Sequence, residues 1–236
     1  LAGPGYHAVT YGNLVAEIAC RVTDRTFPEL VERELAGPLG VREFWFRVPQ
    51  SERRRLAPVF PPKVNPLPSS WGTTARVMSR MPGIRGIAEA GMADGFDELM
   101  RSPSAHDAVM PGWNGVFSAR ALARMYGALA NGGALDGGVR LVKEDTLEQI
   151  LEVQTRRRDY VLGIRPNWRL GYHPGWVALR EQPLRSIGHY GFGGSGAFAD
   201  PETGLSLAFV TNRLGSTLTT TISDARFPRL GGDAVS

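Results

Sequence analysis

The chain has 236 residues, 27 Lys and Arg against 23 Asp and Glu, a net charge of +4, and 42% apolar residues. That length can bury a sizeable core as one domain or two intimate subdomains, and the apolar share excludes wholesale disorder. The basic excess is almost wholly Arg spread along the chain, with triplets only at Arg53-Arg54-Arg55 and Arg156-Arg157-Arg158; nucleic-acid binding asks for a continuous basic stripe in a known module, which is not present.

The apolar periodicity predicts a first helix over Leu14 to Thr23, with Leu14, Val15, Ile18 and Val22 on one face and the lone Cys20 as buried filler rather than a disulfide partner. Thr26-Phe27-Pro28-Glu29 has the form of a capping box opening a second helix, Phe27 to Leu35, which Gly37-Pro38 stops. From Ala57 to Pro68, five prolines in twelve residues forbid regular structure and predict an extended surface loop. Pro58-Val59-Phe60-Pro61 has the outline of an SH3 ligand, but a packed loop is the favoured reading.

Ser118 is a good N-cap for a helix over Ala119 to Ala130, whose Leu122, Met125, Tyr126 and Leu129 form a core stripe and which Asn131-Gly132-Gly133 ends. Thr146 to Val153 reads as another short helix. Beyond Arg158 the texture changes to strands: Tyr160 to Ile164, Trp168 to Tyr172, Val177 to Leu179, Arg185 to Gly188, Gly196 to Ala199 and Leu205 to Val210. Helices first and strands last imply an α+β protein, with residues 1–155 a helix-rich region and 156–236 a sheet region of one domain. No apolar run approaches the ~20 residues of a membrane-spanning helix. The chain begins at Leu1 rather than Met, so the lack of a signal peptide is uninformative and the cytoplasm is only a default location.

The stretch Ile187 to Asn212 carries most of the chemistry. Asp200-Pro201-Glu202-Thr203-Gly204 supplies turn residues between a polar strand bearing His189 and the apolar return strand Leu205 to Val210. Gly191-Phe192-Gly193-Gly194-Ser195-Gly196 fits the dinucleotide pattern G-x-G-x-x-G, but Pro201 arrives too soon for the helix that pattern needs. Ser195 lacks the second glycine of a nucleophile elbow, since Ala197 stands there.

His189-Tyr190-Gly191, the glycine-rich bend, the turn and a strand ending in Thr211-Asn212-Arg213 together resemble the third conserved element of the serine β-lactamase and penicillin-binding-protein superfamily. They are most similar to the class C β-lactamase-related esterases and hydrolases, in which His replaces the Lys of Lys-Thr-Gly. Tyr11-Gly12-Asn13 resembles the family's Tyr-x-Asn element, Gly37-Pro38-Leu39-Gly40 its Pro-Leu-Gly stop, and Asn114 to Arg120 with Leu129 to Gly133 its later helix. The resemblance runs from about Pro4 to Asn212 and implies a β-lactamase/transpeptidase-like fold in which the end of the chain is part of a mainly antiparallel sheet.

It also implies cofactor-free acyl transfer to water through an acyl-enzyme, with a small ester, amide or lactam as substrate and His in place of Lys leaning toward esters. Within that chemistry Tyr11 is the expected general base and proton donor to the leaving group, its phenol needing nearby positive charge or donors to act near neutrality. Asn13 would hold a lysine and a polar group of the substrate, or serve only as a helix N-cap. His189 would orient Tyr11, within about one bridging water, and meet a substrate oxygen. Gly191 would let substrate backbone approach, and the Phe192 N–H would be an oxyanion donor. His7, His106 and His173 do not group with Asp, Glu or Cys at ligand spacing, so no metal site is expected.

One departure from the family stands out. The chain has two lysines, Lys63 and Lys143, preceded three positions earlier by Phe60 and Arg140, so it contains no Ser-x-x-Lys. Two readings follow: the C-terminal portion of a serine hydrolase whose nucleophile segment lies upstream, with the N-terminal part of the fold missing here, or a non-catalytic remnant or binding protein that keeps the fold.

Overall fold

The computed structural model describes residues 3–60, 102–174, 185–191 and 193–213. The strand expected over Val177 to Leu179, most of the proline-rich loop and the Phe192 N–H lie outside the described residues.

Helix α1 covers Thr10–Thr23 and so begins four residues before the apolar period does. Arg21 pairs with Glu17 one turn back at 2.7 Å, and Asp24, in the left-handed region at φ 52°, closes the last turn with its N–H on the Cys20 carbonyl. The expected apolar face is not core. Leu14, Ile18 and Val22 are 67%, 64% and 80% exposed and Val15 and Tyr11 about half exposed, while Ala16 is the residue of α1 that is buried. The spacing is that of a buried stripe, but the helix presents its small side to the described part of the molecule.

Helix α2, Phe27–Val31, opens as the capping box predicts: the Glu29 carboxylate accepts the Thr26 N–H at 2.9 Å and the Thr26 hydroxyl at 2.7 Å. It does not stop at Leu35. One wide π turn over Glu32–Ala36 leads into a final turn at Gly37–Leu39, and Gly40 at φ 63° ends the run. The wide turn shifts the hydrogen-bond ladder so that Pro38, which has no N–H to give, falls at the start of a new turn.

Strands β1 (Phe44–Trp45) and β2 (Val116–Phe117) pair antiparallel within the region expected to be helical; two-residue strands carry no period for sequence patterning to detect. Their rings join an aromatic cluster, Phe44 on Phe117 at 4.5 Å and Phe27 on Phe46 at 4.9 Å. Helix α3, Ala119–Ala130, has the predicted bounds, with the Ser118 hydroxyl accepting the Ala121 N–H at 3.2 Å. Helix α4 is Glu144–Leu151.

Strands β3 (Ile187–Tyr190), β4 (Gly196–Asp200) and β5 (Leu205–Phe209) form an antiparallel sheet in chain order. Asp200 builds the second hairpin turn, its carboxylate accepting the Glu202 N–H at 3.1 Å and the Thr203 hydroxyl at 3.0 Å. Tyr126, Leu129 and Ala130 of α3 pack with Leu147 and Leu151 of α4 against Ile187, Ala197 and Ala199. The two β4 alanines leave room for α3 to lie close to the sheet, and the Ser206 hydroxyl ties the pair together by donating to the Ala123 carbonyl at 3.0 Å.

Two expected strands are turns. In Tyr160–Ile164 the Asp159 carboxylate takes the N–H groups of Val161 and Leu162, both at 2.9 Å, and Gly163 N–H returns to the Asp159 carbonyl at 2.9 Å, so these donors are unavailable to a ladder. Across Trp168–Tyr172, the Arg169 N–H bonds the Tyr172 carbonyl at 2.8 Å, with Gly171 at φ 79°.

The start of α1 is set by backbone contact. A Cβ on Gly12 would lie 2.6 Å from the Gly112 nitrogen, so the helix and the 110–114 loop touch main chain to main chain. Gly12→Ala is expected to lower stability by about 1–3 kcal/mol through overpacking, read as a fall in the urea midpoint at unchanged m-value.

Candidate active site

His189 occupies the third position of β3, half-buried opposite Ala197 of β4. On the other side of β3 the chain returns at His173, whose N–H and carbonyl exchange hydrogen bonds with Gly188 at 3.2 and 2.9 Å. That bridge sets the two imidazoles side by side, ring centroids 5.2 Å apart, with Tyr190 5.6 Å from His173. The buried His173 places its Nδ1 2.8 Å from the Pro174 carbonyl, so in the neutral ring Nδ1–H is the donor and Nε2 carries the lone pair.

The hydroxyl that meets His189 belongs to Tyr6, its oxygen 3.1 Å from Nε2. Tyr6 lies in the extended segment ahead of α1, where it cannot join a helix face, and its ring stacks on Trp168 at 5.4 Å with 14° between planes. Trp168 in turn meets the His173 ring at 6.0 Å. Beneath these rings lies Asp159, fully buried, with one carboxylate oxygen accepting the Tyr6 N–H at 3.2 Å and the other accepting the Trp168 indole N–H at 3.0 Å. Patterning had not singled out Tyr6, His173, Trp168 or Asp159 for the site. The available signal was an aromatic residue directly after Pro4-Gly5, outside any apolar period.

The electrostatics favour neutral groups. Burial, and then the neighbouring His173, lowers His189 to about 4. Burial also lowers His173, against the opposing pull of its bond to Pro174. Burial, then the Asp159 charge, raises the Tyr6 phenol. At neutral pH the site therefore holds an un-ionised phenol hydrogen-bonded to an uncharged imidazole, and a proton passed from phenol to imidazole leaves no phenolate only if the phenol takes up another proton in the same step.

The residues expected from the sequence divide as follows. His189 is at this site, and the exposed Gly191 lies two residues on, just past the end of β3, its N–H on the Ser195 carbonyl at 2.7 Å. Tyr11 is half exposed in the first turn of α1, and among the described residues its side chain makes no hydrogen bond. Asn13 is not the N-cap, a position Val9 fills. Its side-chain oxygen is buried and finds no partner among the described residues. Ser195 serves the sheet, its hydroxyl accepting the Thr211 N–H at 3.1 Å. No cluster of metal-ligand side chains occurs among the described residues, and none of the described helices is long and apolar enough to cross a membrane.

An imidazole held near 4 links folding to pH. The unfolded chain binds the proton at about 6.5 and the folded chain only near 4, so the stability associated with neutral His189 is complete above about pH 6.5 and is lost as the pH falls toward 4. About 2 kcal/mol should disappear between pH 7 and pH 5, measured by urea unfolding at each pH, and His189→Gln should flatten that dependence.

The chain matches the Beta-lactamase family over residues 2–226. It is 36% identical over 229 residues to the Esterase/beta-lactamase LipL of Mycobacterium tuberculosis, an alignment covering 94% of this chain and 51% of that protein. Among solved structures it is similar to a family VIII carboxylesterase, with TM-score 0.72, 26% identity, and 94% of this chain and 58% of that one covered. It is also similar to a penicillin-binding protein homolog from Caulobacter crescentus, with TM-score 0.68, 28% identity, and 95% and 58% covered. The chain thus spans between half and three-fifths of the length of these relatives. The helices and antiparallel sheet are those of the β-lactamase/transpeptidase-like fold, and the chain belongs to the Beta-lactamase family.

Proposed function

We propose that this chain is the C-terminal portion of a serine hydrolase of the β-lactamase-related esterase type, which cleaves a small ester or amide by forming and hydrolysing an acyl-enzyme. The observation that carries the reading is the hydrogen bond between the Tyr6 hydroxyl and His189 Nε2, 183 residues apart in sequence. A serine alcohol needs a base beside it and donors around the developing oxyanion. The Tyr6–His189 pair supplies a proton relay on a sheet strand, next to glycine backbone that a substrate can approach.

In this reading the Tyr6 phenol takes the proton of the attacking serine as it gives its own to His189 Nε2, and the two transfers run in reverse to protonate the leaving group. Tyr11, first in Tyr-x-Asn by sequence, is the rival for the same role. Asn13, with a buried carbonyl oxygen lacking a described partner, would meet a lysine ammonium or an N–H of the substrate. Gly191 and the N–H of Phe192 would line the oxyanion side. The 236 residues contain no Ser-x-x-Lys, and that favours one alternative: a non-catalytic binding protein on the same fold.

The experiment compares the chain alone with the chain joined in frame to its upstream coding sequence. Alone, it should give no fluorophosphonate labelling and no turnover of a short-chain chromogenic ester above a heat-treated control. Joined to an upstream Ser-x-x-Lys it should do both; an upstream sequence without that motif, or a joined chain that stays silent, supports the binding protein. In the joined enzyme Tyr6→Phe is expected to lower kcat by on the order of 10²-fold or more, with Tyr11→Phe far milder. The reverse order assigns the base to Tyr11. His189→Lys should be milder than His189→Ala, because a nitrogen able to exchange a proton with the phenol is kept.

A further inference from the structure

A carboxylate with no exposure to water needs donors to offset its desolvation, and where those donors come from decides what it organises. Asp159 draws one N–H from a segment 153 residues away, that of Tyr6 at 3.2 Å, two from its own turn, Val161 and Leu162 at 2.9 Å, and the Trp168 indole N–H at 3.0 Å. The same turn holds the N-terminal segment a second time, with the Tyr160 N–H on the Pro4 carbonyl at 2.9 Å. The Trp168 ring that Asp159 fixes is the ring on which Tyr6 stacks.

We propose that Asp159 is the positioning residue for the Tyr6–His189 pair: it fixes the Tyr6 backbone directly and the plane of the Tyr6 ring through Trp168, so that the phenol oxygen is delivered to His189 Nε2. This assignment rests on the proposed catalytic role of that pair for its meaning, but the geometry is testable without turnover. The division of labour within the carboxylate makes the test specific. Asp159→Asn keeps a carbonyl oxygen for the three backbone N–H groups and sets an amide N–H₂ against the indole N–H, donor facing donor. The turn is retained and the support of the ring is lost.

The measurement is the His189 imidazole in long-range ¹H–¹⁵N spectra of the 236-residue chain at pH 7, assigned by its loss in His189→Gln. Tyr6→Phe, which deletes the hydroxyl, calibrates the Nε2 shift that breaking the bond produces. Asp159→Asn is expected to reproduce more than half of that shift, and Trp168→Phe, which removes the indole N–H but keeps a ring, to move Nε2 in the same direction. A thermal midpoint that falls while the His189 signals stay at their wild-type positions would make Asp159 a turn anchor only and overturn the proposal. Should Asp159→Asn fail to fold, Trp168→Phe decides on the same criterion. Failure of the joined enzyme to react with esters would count against the hydrolase reading and leave this result intact. A joined enzyme that reacts with esters, with His189 signals unshifted in Asp159→Asn, would do the opposite.

Discussion

The site depends on burying one negative charge. Asp159 has no contact with water, and burying an ionised carboxylate in a protein interior costs several kcal/mol unless hydrogen bonds replace its hydration. Its four donors are drawn from three stretches of chain, and each is thereby placed: the segment before α1, the turn after Arg158 and the indole of Trp168. The aromatic stack above follows from that placement. The hairpin contributes independently, since the bridge between His173 and Gly188 sets His173 beside His189. The site is therefore where a charge-centred assembly meets a sheet-centred one.

Much of the fold could be read from the sequence where several local signals coincide. The helix over Ala119–Ala130 has a Ser cap, an apolar stripe and a double-glycine stop, and all three agree. The hairpin of β4 and β5 has Asp-Pro and Thr-Gly in its turn and alanines that fit under a helix. Where one signal stood alone it was overridden. The β-favouring residues around Val161 yield to an aspartate that captures their N–H groups, and the first turn of α1, Thr10 to Asn13, has no apolar period to announce it.

The site divides along the same line. His189 could be singled out because its setting is local: a polar strand, adjacent glycines and a turn. Tyr6 could not, because its meaning comes from a partner 183 positions away and a stacking ring on another loop. Tyr11 drew attention through a tripeptide pattern, which specifies residue types but not which of two nearby phenols the chain turns toward a histidine. Gly12, the middle of that tripeptide, has a separate reason to be glycine in its contact with Gly112. A short motif here records a packing requirement as well as a chemical one.

The outward-facing side chains of α1 bear on how the polypeptide behaves in a test tube. Leu14, Ile18 and Val22 recur every four residues and point to solvent, forming a strip of oil along about two turns of helix, with Glu17 and Arg21 the charged residues between them. Contiguous exposed apolar surface of this kind makes molecules adhere to one another as concentration rises. Such adhesion would bring molecules together at high concentration without any unfolding, through a helix whose buried face is little more than an alanine.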